Sequence, residues 1–189
     1  MITPTIRSAT AADAEAVADL AAATFPLACP PHTTAADIAE HIEQRLSASA
    51  IAAELGDPAV QYRVADVSGD LVGYTMLVTD VPPPDGPAGR RPMELRRIYV
   101  HEKWHGHEVG AALMSDALQC AAMASRDLVW LGTNELNERA IRFYRRHGFA
   151  VSGSKTFRVG QALECDYVMS RSVGDTGVSS AGPGVSATP

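Results

Sequence analysis

No stretch of this chain approaches the roughly 18 consecutive apolar residues of a membrane-spanning helix, so none is expected. Basic residues are in deficit: 16 Lys+Arg stand against 22 Asp+Glu, a net charge of −6. That balance lacks the electrostatic footprint of a non-specific nucleic-acid binder. Cysteine is sparse. Cys29, Cys120 and Cys165 lie far apart, lack metal-ligand spacing and are odd in number. Neither a disulfide framework nor a metal site is expected, and a cytoplasmic protein with reduced thiols is the simple reading. Cys120 sits in an Ala-rich helical run and reads as core packing. The opening MITPTIRSATAADAEAVADL has no basic stretch followed by an apolar one, so no secretory signal is read. No internal repeat is apparent.

What is present fits one globular domain. The 189 residues are 46 % apolar and 20 % charged, enough to bury a core without staples. The charge is uneven. Residues 1–60 hold eight acids against Arg7 and Arg45, whereas the remainder is balanced. Solvated faces of acidic helices explain this, as does a field that attracts a cationic substrate.

Apolar spacing orders the elements. Ile2–Arg7 reads as a strand. Thr10 caps a helix over Ala11–Thr24, with Val17, Leu20 and Ala21 on its buried face. Phe25-Pro26 ends it, and Leu27–His32 reads as loop. Thr33 or Thr34 caps a second helix to about Leu46, striped by Ile38, Ile42 and Leu46. Gly56-Asp57-Pro58 breaks the chain. Gln61–Val67 and Leu71–Thr79 form a hairpin around Ser68-Gly69-Asp70. The Pro-rich run VPPPDGPAGRRP, residues 81–92, reads as an exposed loop. Met93–Val100 is a strand, Gly106–Ala124 a helix and Leu128–Leu131 a buried parallel strand. Asn137 caps a helix over Glu138–His147, ended by Gly148. A last strand pair surrounds Gly160. Residues 171–189 are Gly/Ser/Pro-rich and read as a flexible tail behind a domain of residues 1–170.

Chemistry concentrates in two stretches. In IYVHEKWHGHEVGAALM, residues 98–114, a strand runs through a short turn into a helix. Gly106 and Gly110 permit close backbone approach, and the unpaired N–H groups of a helix start suit a phosphate. The stretch fits neither GxxxxGK[ST] nor GxGxxG. The second is LGTNELNERAIRFYRRHGF, residues 131–149.

Together these stretches resemble the GCN5-related N-acetyltransferase (GNAT) superfamily, from about Ile6 to Met169. LRRIYV, GHEVGAALM, WLGTNELNERAIRFYRRHGF and the late TFRVG…DYVM resemble most the bacterial spermine/spermidine-type acetyltransferases. The resemblance implies an α/β (α+β) fold: a central, mostly antiparallel sheet with two splayed parallel strands, flanked by helices. It implies acetyl-CoA as co-substrate, in a gap between strands 93–100 and 129–131. The backbone of Ile98, Tyr99 and Val100 would hold the pantetheine arm. His105-Gly106-His107-Glu108-Val109-Gly110-Ala111 would cradle the pyrophosphate. Here His105 replaces the usual Arg or Gln and Glu108 the usual middle glycine, which implies altered contacts with the donor. Asn137 would contact the CoA arm as well as capping its helix.

Tyr144 matches the tyrosine near the CoA sulfur. Its phenol, ordinarily of pKa about 10, can protonate a leaving thiolate. The implied reaction is direct attack by an amine on the acetyl carbonyl, whose developing charge meets a strand N–H near Ile98. Related polyamine enzymes carry a carboxylate at the position of Arg96, so Glu94 and Glu135 are the alternative candidate bases, beside a water chain. The acceptor would lie by the first two helices and the Pro-rich loop. It is expected to be a small cationic amine such as a polyamine, with a peptide or protein amine as the alternative. Arg90 and Arg91 would meet an acidic group or the CoA phosphates. A different class stays open: a GNAT-fold CoA-binding regulatory protein with little turnover, which Glu108 and Arg96 favour. A homodimer through the late strands is compatible with the resemblance.

Overall fold

The computed structural model describes residues 3–159 and 162–174. In chain order the elements are β1 (Thr5–Ser8), α1 (Ala14–Thr24), α2 (Ala35–Arg45), α3 (Ala48–Leu55), β2 (Val60–Val67), β3 (Asp70–Thr79), β4 (Pro92–Val100), α4 (Val109–Met123), β5 (Leu128–Asn134), α5 (Glu138–Arg146), β6 (Ala150–Val159) and β7 (Ala162–Ser172). Seven strands form one sheet in the order β1-β2-β3-β4-β5-β7-β6. The β4–β5 pair is parallel and the other pairs are antiparallel. The mixed, helix-flanked sheet implied by the sequence is the observed fold.

Packing divides by face. On one face Val17, Leu20 and Ala21 of α1 and Ile51 of α3 pack on Tyr62, Val64, Tyr74 and Met76. On the other, Met114, Ala117 and Ala121 of α4 and Ile141 of α5 pack on Leu95, Val129, Leu131 and Met169. Each fully buried Leu, Ile or Met contributes about 1.5–3 kcal/mol relative to exposure. Of the alternating Cys165, Tyr167 and Met169, Tyr167 and Met169 turn toward this second core, where Met169 is wholly buried, while Cys165 interacts with Glu135.

Several expectations are corrected. The helix α3 is not among the elements expected from the sequence. Ser47 caps it through Ala50 N–H, and it is short enough that its single fully buried Ile51 gives little periodicity. The first helix begins as a 3₁₀ turn over Ala11–Asp13, and a second 3₁₀ turn covers Phe25–Ala28 within the expected loop. The helix expected from Gly106 starts at Val109, because the chain first makes a 3₁₀ turn over Glu102–Trp104 and Gly106 adopts φ 82°. The second helix stops at Arg45, and none of its residues is buried. The final strand runs to Ser172, past the expected domain edge at 170. The expected tail beyond residue 174 and the turn at Gly160 lie outside the described residues.

Strand β4 is irregular in two ways. Its register with β3 passes from Met76↔Arg97 to Leu77↔Leu95, so Arg96 sits in a bulge. Its ladder to β5 holds only at Pro92↔Leu128, Met93↔Val129 and Glu94↔Trp130. Beyond Glu94 the strands diverge, β4 staying with β3 and β5 with β7.

Candidate active site

The divergence opens a cleft of about 700 Å³. That is a size suited to a cofactor or drug-sized ligand. Its β4 wall runs over Leu95–Val100 and its β5 wall over Gly132–Asn134. The N–H of His101 bonds Val72 O on β3 at 2.9 Å. Antiparallel alternation then turns the backbone groups of Tyr99 into the sheet and those of Ile98 and Val100 into the cleft. The Val100 carbonyl meets His105 Nε2 at 2.8 Å, as that orientation requires. The expectation for Tyr99 is corrected accordingly: its backbone is used by β3, and only its side chain serves the cleft.

One end of the cleft is the turn into α4. Trp104, His105, Gly106, His107, Glu108, Gly110 and Ala111 line it. The first α4 hydrogen bond in this turn runs from Ala112 N–H to Glu108 O, so the N–H groups of Val109, Gly110 and Ala111 have no intrahelical acceptor. The Val109 side chain is buried in the core, so this residue can offer the cleft its N–H alone. Glu108 occupies the N-cap without a side-chain cap bond, and its side chain is exposed. Gly110 faces Phe143, and a Cβ there would stand 3.5 Å from the ring, an ordinary contact. Asn137 lines the cleft while its Oδ1 accepts Ala140 N–H at 3.0 Å, so capping and cleft positions coincide.

Tyr144 lines the cleft. Its ring meets Phe143 and Phe149 edge-on at 5.5 and 6.1 Å. Burial pushes its phenol pKa up, and Tyr99 adds to the shift. Tyr99 is pushed up to about 12, mainly by burial, with Arg97 opposing and Cys29 and Asp166 adding. Both phenols stay protonated at neutral pH and can donate.

The other end is walled by Thr24, Phe25, Leu27, Cys29, Asp37 and His41. The rings of Phe25 and His41 stack at 4.3 Å and 7°. Burial lowers the His41 pKa, and Arg97 and Arg45 lower it further, so the ring is neutral at pH 7. Arg97 is tied by Glu54 of α3 (2.7 and 3.1 Å), whose carboxylate also accepts the Tyr62 hydroxyl. Asp166 of β7, 8 % exposed, lines the floor beside Gly132.

The two candidate bases fall outside. Glu94 lies where β4 is still paired on both sides, is buried, and accepts two bonds from Arg96 at 2.6 and 2.9 Å. Glu135 is exposed beyond β5 and interacts with the Cys165 thiol. Neither lines the cleft. The Pro-rich loop is also misplaced by the sequence reading. It lies at the opposite end of the sheet, where Asp127 accepts Arg90 and Arg91 N–H, Asp85 accepts Ser154 N–H, and Val81 O accepts Trp130 Nε1–H. Arg90 and Arg91 therefore do not line the cleft. Sequence reasoning misses Asp166, Arg97 and His41. The acid on the strand of DYVM is the visible signal for Asp166. Among the described residues no group of three or more His, Cys, Asp or Glu is placed to hold a metal ion, and no helix is long and apolar enough to cross a membrane.

Comparison with known proteins agrees with this geometry. The acetyltransferase (GNAT) family profile matches residues 15–149. An uncharacterized N-acetyltransferase of Mycobacterium tuberculosis is 41 % identical over 159 residues, covering 84 % of this chain and 97 % of that one. The crystal structure of the PaiA N-acetyltransferase of Thermoplasma acidophilum in complex with coenzyme A superposes with a TM-score of 0.71. It is 16 % identical and covers 90 % of this chain and 99 % of that one. The ribosomal-protein-S18-alanine N-acetyltransferase of Escherichia coli gives 0.66 at 17 % identity, covering 93 % and 97 %. The chain belongs to the acetyltransferase (GNAT) family and is an acetyl-CoA-dependent acetyltransferase.

Proposed function

We propose that the chain transfers the acetyl group of acetyl-CoA to a primary amine of a small cationic molecule by direct attack. The observation that carries this reading is the separation of β4 from β5 beside the uncapped start of α4. A pantetheine arm in the gap would meet the backbone of Ile98 and Val100, which is already oriented toward it. The pyrophosphate would meet the N–H groups of Val109, Gly110 and Ala111, where the helix dipole favours negative charge. His105, Gly106 and His107 complete that turn, and Asn137 Nδ2 can donate to the arm while Oδ1 caps α5. An N–H near Ile98 would meet the carbonyl oxygen as it gains charge.

In this reading Tyr144 donates its phenolic proton to the departing CoA thiolate. Asp37 and Asp166 are the carboxylates on the acceptor side of the lining; Asp166 is shared with Lys155 at 3.7 Å, so Asp37 supplies most of the attraction for an ammonium. Arg96 and Arg97 weaken that attraction little, because Glu94 and Glu54 neutralise them. Glu94 and Glu135 take no part as bases; the amine proton leaves toward Asp166 or through water. Residence in the cytoplasm belongs to the same reading, and a homodimer through the late strands would use β6, the outer edge of the sheet.

The test is CoA thiol release from acetyl-CoA with spermidine, an aminoglycoside, a lysine peptide and an α-amino peptide. Turnover on the first two supports the proposal. Turnover on peptides alone moves the acceptor to a protein amine. Acetyl-CoA binding without turnover on any of them favours a CoA-binding regulatory protein.

A further inference from the structure

A groove beside the cleft is lined by positive charge, although the chain as a whole is acidic. It lies between α4, the end of α5 and β7, and Ser115, Arg146, His147, Ser170 and Arg171 line it. Among the described residues no Asp or Glu lines it. Arg171 is fixed from two sides. Its Nη1 donates to His147 O at 2.6 Å, and a Cβ built on Gly148 would stand 3.5 Å from its Cδ, Nε and Cζ. That bond uses one guanidinium N–H and leaves the others for a ligand. Arg146 has no hydrogen-bond or ion-pair partner among the described residues, whereas Arg96 and Arg97 of the cleft are paired with Glu94 and Glu54. The groove adjoins the donor end of the cleft, because Arg146 and His147 line both. Gly110, at the start of α4, faces Phe143 of α5. Arg146 stands three residues beyond Phe143 and Ser115 five beyond Gly110, about 5 and 8 Å along their helices. The groove therefore opens about one helical turn from the N–H groups assigned to the pyrophosphate.

We propose that this groove is a second phosphate site, binding a phosphate monoester between Arg146 and Arg171. Two guanidiniums beside serine hydroxyls, with no carboxylate, suit a dianion that carries three acceptor oxygens. That chemistry has two sources. One is the 3′-phosphate of acetyl-CoA, which shares a ribose with the pyrophosphate and so reaches a site one turn away. This source rests on the donor reading of the cleft. The other is a free phosphomonoester bound beside the donor.

Calorimetry of CoA and 3′-dephospho-CoA is run on the full-length protein and on its Arg146→Gln and Ser115→Glu variants. Ser115 is exposed, so the glutamate adds a carboxylate to the groove wall without entering the core. With the 3′-phosphate as occupant, wild type prefers CoA by about tenfold or more, the effect of charge-assisted bonds. Both variants should cut that preference to about twofold or less, and dephospho-CoA should bind Arg146→Gln within about twofold of wild type. With a free phosphomonoester as occupant, the wild-type preference is near one. Inorganic phosphate then binds the CoA-saturated protein, and both variants weaken it about tenfold. A preference for CoA that both variants leave intact overturns the proposal. So does CoA binding with neither a preference nor phosphate binding, which leaves the donor reading standing. Protein that binds neither form of CoA contradicts the donor reading. In that case phosphate binding weakened by both variants keeps the groove as a site, and no phosphate binding removes it.

Discussion

Replacing Glu54 by Gln tests whether the acceptor wall is fastened to the sheet by one ion pair. Glu54 lies near the end of α3 and grips Arg97 of β4 through two bonds of 2.7 and 3.1 Å. Arg97 reaches back to Arg45 O at 3.5 Å, so α2, α3 and β4 meet at this guanidinium. Its side chain is 12 % exposed and that of Glu54 27 %. Gln keeps the shape but leaves the buried cation without a counter-charge. Breaking a fully buried pair costs about 3–5 kcal/mol, and a surface pair about 0–1. The partial exposure of Glu54 places the loss at about 2–3 kcal/mol. For a domain of this size that lowers the melting midpoint by roughly 4–12 °C. Thermal and urea unfolding measure it, with an unchanged urea m-value if the native state stays compact. Acetyl-CoA affinity should stay within about twofold, because α4 and α5 pack on the other face. A loss below about 0.5 kcal/mol would refute the reasoning, since that is the range of an ordinary surface change.

Three further outcomes are expected. Tyr144→Phe should lower turnover by about 10²-fold or more, with acetyl-CoA affinity nearly unchanged; undiminished turnover would remove Tyr144 as the acid. Glu108→Gln should tighten acetyl-CoA binding by about 0.3–1 kcal/mol, read by calorimetry, because it removes a carboxylate from a helix start that favours phosphate. Asp13 carries a pH signature. Arg7 holds its carboxyl well below the usual carboxylate range through bonds of 2.7 and 2.8 Å, and Thr10 N–H assists. The stability so gained is complete above the unfolded pKa of about 3.9 and is lost as pH falls toward the depressed folded value. Unfolding midpoints of wild type and Asp13→Asn should therefore converge as the pH drops below about 4.

The legible parts of this protein are those in which local sequence and tertiary role coincide. GHEVGAALM and LNERAIRFYRRHGF each form one strand-to-helix or capped-helix unit. Residues on such a unit therefore reach the cleft together: Gly106, Gly110, Asn137 and Tyr144 all do. Glu94 is misplaced from sequence because alternation along a strand gives the face but not the height. It stands on the paired stretch below the point of divergence, and that point is set by the β4–β5 ladder rather than by any residue type. The Pro-rich run reads as loop, but its end of the sheet depends on strand direction. Asp166 and Lys155 come from the late strands, outside both motif stretches, and converge only through the β5–β7–β6 register. The helix α3 escapes because half of its residues are Ala and its one fully buried side chain is Ile51.

The position of acetyl-CoA between β4 and β5 is the central claim. Amide hydrogen exchange at saturating acetyl-CoA measures it directly. Protection is expected over Ile98–Val100, over Gly106–Ala111 and at the start of α5, with little change in β1, β2 or the 81–91 loop. Saturated binding without protection at the α4 start, or with protection confined to the Pro-rich end of the sheet, would contradict the assignment of the cleft.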